Sequence, residues 1–259
     1  MSVRAISVNL WGQRVCAIAV DANGQLNTQF DPQFLKANLD IAPINLPIED
    51  LRQNPTQIQR FDDLPERTYR GLPAFLVDSL PDDFGNALVN QYMASKGILP
   101  RDITVLDRLA YTGKRAMGAF EFEPASKDIV KNKAALEMSN LIEMARRALT
   151  GNLEDAPEQS LQDLLSVGTS AGGARAKAVI AWNPKTNEVF GGQFDAPPGS
   201  EHWLLKFDGV GVDTELGLSE GYGKVEYAYY LMAKEAGIAM AESKLFEENG
   251  RSHFMTKRF

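Results

Sequence analysis

Residues 166–177 read Ser166-Val167-Gly168-Thr169-Ser170-Ala171-Gly172-Gly173-Ala174-Arg175-Ala176-Lys177, a run of small residues between an apolar helical segment and the strand-like residues 178–182. Small residues let backbone N–H groups approach a ligand closely. Consecutive amides in such a loop bind anions, and Lys177 adds a positive charge beside them. The run therefore predicts a phosphate-binding loop between two ordered elements.

An ordinary Gly-rich turn is the alternative interpretation of the same run, and composition alone favours it. The run is not a Walker A loop, because Ala174 stands where that motif has its lysine. The choice between the two interpretations therefore depends on residues elsewhere in the chain.

The rest of the chain has the composition of an ordinary globular protein. Its 259 residues are 44% hydrophobic and 24% charged, and this length allows one large domain or two small ones. No apolar run has the length of a membrane span, and the amino terminus lacks the features of a signal peptide. Cys16 is the only cysteine, which excludes an internal disulfide and a cysteine metal cluster. The cytoplasm is therefore the predicted compartment.

The net charge of −7 is shared by both halves of the chain, and neither half carries a basic arm. Nucleic-acid binding is driven by the neutralisation of phosphates, so direct binding of nucleic acid is disfavoured. We also expect no membrane partner.

Hydrophobic periodicity and turn residues predict an α+β chain. Strands are predicted over residues 3–10, 15–20, 25–30, 119–124, 177–182, 188–194, 202–207, 245–246 and 252–259. Helices are predicted over residues 80–96, 102–110, 134–149, 160–165 and 223–236. Asp31, which precedes a proline, marks a further helix start, and Asp102 is the predicted cap of the second helix. The polar run 125–133 is the predicted domain boundary.

Several motifs stand in an order that is typical of one protein family. The loop Ser170-Ala171-Gly172-Gly173-Ala174-Arg175-Ala176-Lys177 is followed by His202-Trp203-Leu204-Leu205-Lys206-Phe207, by Glu226-Tyr227-Ala228 in a helix, and by Arg251-Ser252-His253-Phe254-Met255-Thr256-Lys257-Arg258-Phe259. Upstream stand Gly71-Leu72-Pro73 and Leu80-Pro81-Asp82 with Phe84-Gly85. Together these motifs resemble the HipA-like Ser/Thr protein kinase toxins. The resemblance covers essentially the whole chain, which corresponds to only the front part of such a kinase.

The resemblance implies a small amino-terminal sheet-and-helix module over residues 1–125 and a protein-kinase-like N-lobe over residues 126–259. The N-lobe would be an antiparallel sheet with one main helix, and the C-lobe of the kinase would be missing. The implied cofactors are ATP and Mg²⁺, with Mg²⁺ bound through the missing C-lobe.

The resemblance also assigns roles to individual residues. Those that would bind the nucleotide are Gly172, Gly173, Ala174, Arg175, Lys177, Lys206, Glu226, Lys257 and Phe259. Ser170 corresponds to a site of self-phosphorylation, where a phosphate would add a charge of roughly −1.5 to −2 and compete with the nucleotide. A serine that bonds to its own loop backbone is the ordinary alternative.

No catalytic residue and no metal ligand is expected within the chain. Its only histidines, His202 and His253, are not followed by Arg-Asp, so neither begins a kinase catalytic loop. The triplet Asp83-Phe84-Gly85 matches the magnesium-binding triplet of kinases but precedes the Gly-rich loop instead of following it. We therefore interpret Asp83 as an acidic residue in the first turn of a helix, where the helix dipole favours it.

Lys206 lies in an apolar predicted strand, where an unpaired lysine is expensive to bury. Glu226 lies in the following helix, at the edge of an apolar stripe. That stripe consists of Val225, Tyr229, Met232 and Ala236. From the edge Glu226 can turn inward and pair with Lys206, as the strand lysine and helix glutamate of kinases do. A solvated lysine and an exposed glutamate are the alternative, but the resemblance favours the pair.

The leading hypothesis is the amino-terminal part of a HipA-like kinase toxin from a bacterial type II toxin–antitoxin system. The resemblance implies that the complete kinase phosphorylates a protein of translation, such as an aminoacyl-tRNA synthetase. It also implies a helix-turn-helix antitoxin of the HipB type as partner. Without a C-lobe, the chain alone is expected to transfer no phosphate. The alternative hypothesis is a non-catalytic truncated or split component that binds an antitoxin or a separate kinase C-lobe.

Overall fold

The structure is a computed structural model that describes residues 2–37, 39–116, 118–125, 135–149, 157–167, 176–192, 196–210, 212–213, 217–218 and 221–258. Contacts between Cα atoms divide the chain into two compact units. The first unit consists of Met1–Pro81 and Met93–Ser126, and the second consists of Asp82–Tyr92 and Lys127–Phe259. The second unit therefore includes one segment from the amino-terminal half of the sequence.

The described part of the chain is α+β, as predicted. Its strands are β1 (Ala5–Leu10), β2 (Gln13–Val20), β3 (Leu26–Phe30), β4 (Ile58–Gln59), β5 (Phe120–Glu123), β6 (Lys177–Trp182), β7 (Val189–Gly191), β8 (Glu201–Lys206), β9 (Val212–Asp213), β10 (Gly217–Leu218), β11 (Ser243–Glu248) and β12 (Arg251–Lys257). Its helices are α1 (Pro32–Lys36), α2 (Ile48–Gln53), α3 (Glu66–Tyr69), α4 (Ala74–Val77), α5 (Asp83–Ala94), α6 (Val105–Thr112), α7 (Met138–Leu149), α8 (Glu158–Val167) and α9 (Tyr222–Glu235). None of these described helices has both the length and the apolar character needed to cross a lipid bilayer.

The first unit contains an antiparallel sheet with the strand order β4-β3-β2-β1-β5. The three predicted amino-terminal strands are confirmed as β1, β2 and β3. The strand predicted over residues 119–124 is β5, which pairs with β1 at the edge of the sheet. Ile6, Val8 and Leu10 alternate along β1 and are buried, because every second side chain of a strand points to the same face. They share a hydrophobic core with Phe34 of α1 and Leu109 of α6.

The helix starts of the first unit follow capping rules, with one correction to the prediction. Asp31 caps α1 as predicted, since its carboxylate accepts a hydrogen bond from a backbone N–H in the first turn. Asp102 does not cap α6; it lies in a 3-10 turn before the helix. Thr104 is the cap, and it forms a reciprocal capping box with Asp107. The Oγ1 of Thr104 accepts a hydrogen bond of 3.1 Å from the N–H of Asp107 in the first turn of α6, whereas Asp102 ends the preceding 3-10 turn.

The second unit contains an antiparallel sheet with the strand order β11-β12-β8-β6-β7, and β9 pairs with β10 separately. Lys177 on β6 and Phe254 on β12 both lie directly opposite Lys206 on β8, from its two sides. Directly opposed residues of an antiparallel pair point to the same face, so these three side chains share one face of the sheet, which we call the lysine face. Trp203 and Leu205 point to the other face and are fully buried.

Helix α5 makes up most of the segment Asp82–Tyr92, which the second unit takes from the amino-terminal half of the sequence. The predicted helix over residues 80–96 is confirmed, with Phe84 and Leu88 fully buried. Asp82 caps it, because its Oδ1 accepts a hydrogen bond of 2.8 Å from the backbone N–H of Gly85. Gly97 follows the helix with a φ of +76°, a conformation that glycine adopts without strain.

Candidate nucleotide-binding site

The candidate site lies on the lysine face of the second unit, at Lys206. Its Nζ lies 2.5 Å from Oε2 of Glu226 on α9, so the predicted ion pair is confirmed. The two side chains keep 35% and 27% of their surface exposed, so the lysine is paired and still accessible. The ring of Phe254 lies 5.8 Å from the same ammonium group. A charge-assisted hydrogen bond on one side and an aromatic face on the other orient the ammonium group.

Helix α9 approaches the sheet closely at a glycine. A Cβ atom on Gly223 would lie 1.9 Å from the backbone oxygen of Ser252 on β12, so a larger residue does not fit. Glu226 and Tyr230 follow at positions i+3 and i+7, on the same side of the helix. Tyr230 is buried and Glu226 is half-buried. The close approach at Gly223 therefore turns Glu226 towards Lys206.

The apolar stripe of α9 is exposed. The exposed fractions are 49% for Val225, 66% for Tyr229 and 64% for Met232. Such a stripe at helical spacing usually faces a core. Here the backbone contact at Gly223 and the ion pair at Glu226 direct the other side of the helix towards the sheet.

Asp208 connects the strand of Lys206 to the helix of Glu226, and the sequence analysis did not identify it. Its Oδ2 and Oδ1 accept hydrogen bonds of 3.2 and 3.5 Å from the backbone N–H groups of Gly221 and Gly223, at the start of α9. The N-cap residue Gly221 has no side chain of its own to make these bonds. Asp208 is buried and lies two residues after Lys206, so it fixes the end of β8 to the start of α9.

His253 supports Asp208 from β12. The backbone N–H of Asp208 donates a hydrogen bond of 2.8 Å to Nδ1 of His253, which is fully buried. Nδ1 is therefore the acceptor, and the neutral ring carries its proton on Nε2. Burial lowers the pKa of His253, and the nearby Arg251 lowers it further, while Asp208 acts in the opposite direction. The imidazole is thus held in its neutral form.

The lowered pKa of His253 predicts a loss of stability in mild acid. Above about pH 6.5, the usual pKa of histidine, both the folded and the unfolded states are neutral at this residue. Below that pH the unfolded state binds the proton more readily, so the free energy of unfolding falls by up to about 1.4 kcal/mol per pH unit until the folded pKa is reached. Urea unfolding at pH 7.5 and 5.5 measures this fall. We expect His253→Gln to reduce it and His202→Gln to leave it in place; equal falls in both variants would contradict the prediction.

Lys177 is paired with Asp82, which the sequence analysis placed in a family motif and in the predicted helix over residues 80–96 without giving it a role at the site. Its Nζ lies 3.1 Å from Oδ2 of Asp82, and the two side chains are 5% and 4% exposed. The capping hydrogen bond from Gly85 holds the other carboxylate oxygen of Asp82. No local pattern predicts this pair, because its partners are 95 residues apart in the sequence.

The Gly-rich loop itself, residues 168–175, lies outside the described residues. So do the following predicted site residues: Ser170, Gly172, Gly173, Ala174, Arg175 and Phe259. The residues on both sides of the loop are described and buried: Val167 ends α8, and Ala176 precedes β6. Ala176 is tied to the sheet, because its backbone oxygen accepts a hydrogen bond of 3.1 Å from the N–H of Phe207. The loop is therefore attached to buried structure at both ends.

Lys257 lies apart from Lys206. It is opposite Trp203 in the β8–β12 register, so its side chain points away from the lysine face. Its Nζ lies 2.7 Å from Oε1 of Glu201. This hydrogen bond raises the pKa of Lys257 and lowers the pKa of Glu201. The structure thus brings together Lys177, Lys206 and Glu226, but not the side chain of Lys257.

Two family models match the chain. The model of the HipA N-terminal domain matches residues 6–123, and the model of the HipA-like C-terminal domain matches residues 169–259. The chain belongs to the HipA-like toxin family. The candidate site of this HipA-like chain, with Lys206, Glu226 and Asp208, lies within the second matched region.

A solved structure from Shewanella oneidensis MR-1 has a similar fold. It is the complex of the toxin–antitoxin system HipA, HipB and its operator DNA, and the matching chain has a TM-score of 0.54 and 15% sequence identity. The match covers 98% of the HipA-like chain described here and 50% of the solved chain, so the chain spans about half the length of that relative. At this identity the likeness shows the fold alone. No curated protein matches the chain significantly in sequence.

Proposed function

We propose that the chain is the nucleotide-binding part of a HipA-like Ser/Thr protein kinase. The observation that carries this proposal is the pair formed by Lys206 on a central strand and Glu226 on the helix that packs against the sheet. Family membership adds support, because the pair lies in the region that matches the HipA-like C-terminal domain.

The ammonium group of Lys206 is suited to bind a phosphate. Its ammonium group is held in place by Glu226 yet remains partly exposed, so it donates to a phosphate oxygen without first having to be ordered. We propose that backbone amides of residues 172–175 bind the phosphates beside it, and that the run 257–259 begins the segment that contacts adenine.

When bound, ATP supplies the phosphoryl group and Mg²⁺ neutralises part of its charge. The described residues contain no group of three or more His, Cys, Asp or Glu side chains that is placed to hold a metal ion. The roles that we propose for this chain are the binding and orientation of the phosphates.

The cellular role that we propose is that of a toxin in a type II toxin–antitoxin system, with a protein of translation as substrate in the cytoplasm. A helix-turn-helix antitoxin of the HipB type is the proposed partner. The relative of similar fold comes from a complex with HipB and operator DNA, which supports such a partner. Because the chain itself has a net charge of −7, we propose that the antitoxin makes the DNA contacts.

A non-catalytic role is the second candidate. The chain spans about half the length of the solved relative. A component that only binds an antitoxin or a separate C-lobe would contain the same pair of Lys206 and Glu226. A phosphoryl-transfer assay on the chain with labelled ATP, alone and with a C-lobe supplied in trans, distinguishes a catalytic from a non-catalytic role.

The nucleotide-binding proposal is tested by calorimetric titration of the chain with ATP. Lys206→Met is expected to weaken ATP binding at least about tenfold, equivalent to about 1.4 kcal/mol, because the oriented ammonium group is lost. The matched control is Lys244→Met, which removes a lysine from the opposite face of the same sheet. Equal effects of the two substitutions would contradict the proposed site.

A further inference from the structure

Lys177 and Lys206 lie opposite each other on neighbouring strands, and each has its own carboxylate partner. They differ in exposure: the side chain of Lys206 is 35% exposed, and the side chain of Lys177 is 5% exposed. A phosphate has to touch the ammonium group that binds it. The two lysines are therefore not equally available to a nucleotide.

We propose that Lys177 is a positioning residue and not a nucleotide ligand, and that it acts through Asp82 to hold the end of the Gly-rich loop. The inference rests on the proposed function, because it assigns a role at the same nucleotide site. Lys206 then supplies the ammonium group that meets the phosphates.

The carboxylate of Asp82 is fixed by two interactions. Its Oδ1 accepts the capping hydrogen bond of 2.8 Å from Gly85, and its Oδ2 lies 3.1 Å from Lys177 Nζ. The side chain is 4% exposed, so solvent does not compete for either oxygen. The cap ties the carboxylate to the first turn of α5, and the ion pair therefore ties Lys177 to α5 as well.

This ion pair lies where the Gly-rich loop joins the sheet. Lys177 is the first residue of β6, and Ala176 before it is fully buried. Breaking a buried ion pair by removing one partner is strongly destabilising and favours displacement of the other partner. Displacement of Lys177 moves the attachment point of the amides that we propose to bind the phosphates. The pair therefore acts on nucleotide binding indirectly.

The test is the ATP dissociation constant of the wild-type chain, Asp82→Asn, Lys177→Met and the double variant. Each single variant is expected to weaken ATP binding about tenfold, because each breaks the buried ion pair that ties Lys177 to α5. The double variant replaces the pair by neutral groups of similar size and keeps the cap, so we expect its constant within about threefold of wild type. Adenosine, which lacks phosphates, is expected to bind all four proteins alike.

Asp83→Asn is the matched control, since it makes the same change of charge at the exposed neighbouring residue. It is expected to bind ATP as the wild type does. A tenfold loss in the double variant would overturn the inference, because Lys177 would then contribute without Asp82. Wild-type affinity in Asp82→Asn would also overturn it. A wild-type chain that binds no ATP would overturn the proposed function, and this inference with it.

A second measurement needs no variant and so does not depend on how the substitutions fold. Reductive methylation of lysine amines, followed by mass spectrometry, is expected to modify Lys206 in the absence of ATP and to spare it in the presence of ATP. Lys177 is expected to be spared under both conditions. Modification of Lys177 that ATP suppresses would overturn the inference, because it would place that amine in contact with the nucleotide.

Discussion

Gly223→Ala is expected to destabilise the second unit and to abolish most ATP binding. Alanine normally stabilises a helix relative to glycine by up to about 1 kcal/mol. At this position its Cβ would lie 1.9 Å from the backbone oxygen of Ser252 and 3.0 Å from the backbone nitrogen of Phe254. Neither backbone atom can move without disturbing β12, so α9 has to shift outwards. We expect a loss of about 1–3 kcal/mol, the usual range for overpacking.

The same shift carries Glu226 away from Lys206, which is why nucleotide binding is expected to fall together with stability. Guanidinium unfolding measures the first effect and calorimetric titration with ATP the second. Gly118→Ala is the matched control, because a Cβ atom there would meet nothing within 4 Å. We expect that control to change the free energy of unfolding by less than about 0.5 kcal/mol. If Gly223→Ala instead behaves like Gly118→Ala, helix α9 does not contact β12 as closely as described.

The sequence predicts those parts of the fold that depend on neighbouring residues. Strand β6 occupies the predicted residues, and α9 starts and ends within one residue of its predicted bounds. Both are set by local patterns: a short apolar run after a glycine-rich stretch, and a helical segment closed by Gly237. The pair of Lys206 and Glu226 is predicted from the resemblance to HipA-like kinases, because the residues alone leave a solvated lysine and an exposed glutamate as the alternative.

The remaining parts of the site depend on residues that are distant in the sequence. Asp208 caps a helix that starts 14 residues later, and His253 reaches it from 45 residues further along the chain. No rule of residue spacing predicts either contact, because the partners are far apart in the sequence and only the fold of the intervening chain brings them together. The sequence pattern of α9 gives the wrong orientation of the helix for a related reason. Its apolar stripe suggests the side that faces a core, whereas the close contact at Gly223 turns the other side of the helix towards the sheet.

Loss of either partner of the pair formed by Lys177 and Asp82 is expected to have the largest effect on stability. Both side chains are at least 95% buried, so the loss of either one breaks an ion pair in the interior. Breaking a buried pair in this way costs about 3–5 kcal/mol. We expect Asp82→Asn and Lys177→Met each to lower the stability of the second unit by that order. Hydrogen exchange at the amides of β6 measures the effect where it arises.

The double variant decides whether the cost comes from the unpaired charge. Replacement of a buried pair by neutral groups of similar volume is often close to neutral. The loss of stability in Asp82→Asn with Lys177→Met is therefore expected to be smaller than in either single variant. Asp83→Asn controls for the change in net charge at the start of α5 and is expected to stay within about 0.5 kcal/mol of wild type. If the two single effects instead add in the double variant, each residue acts through its own packing, and the ion pair does not join α5 to β6.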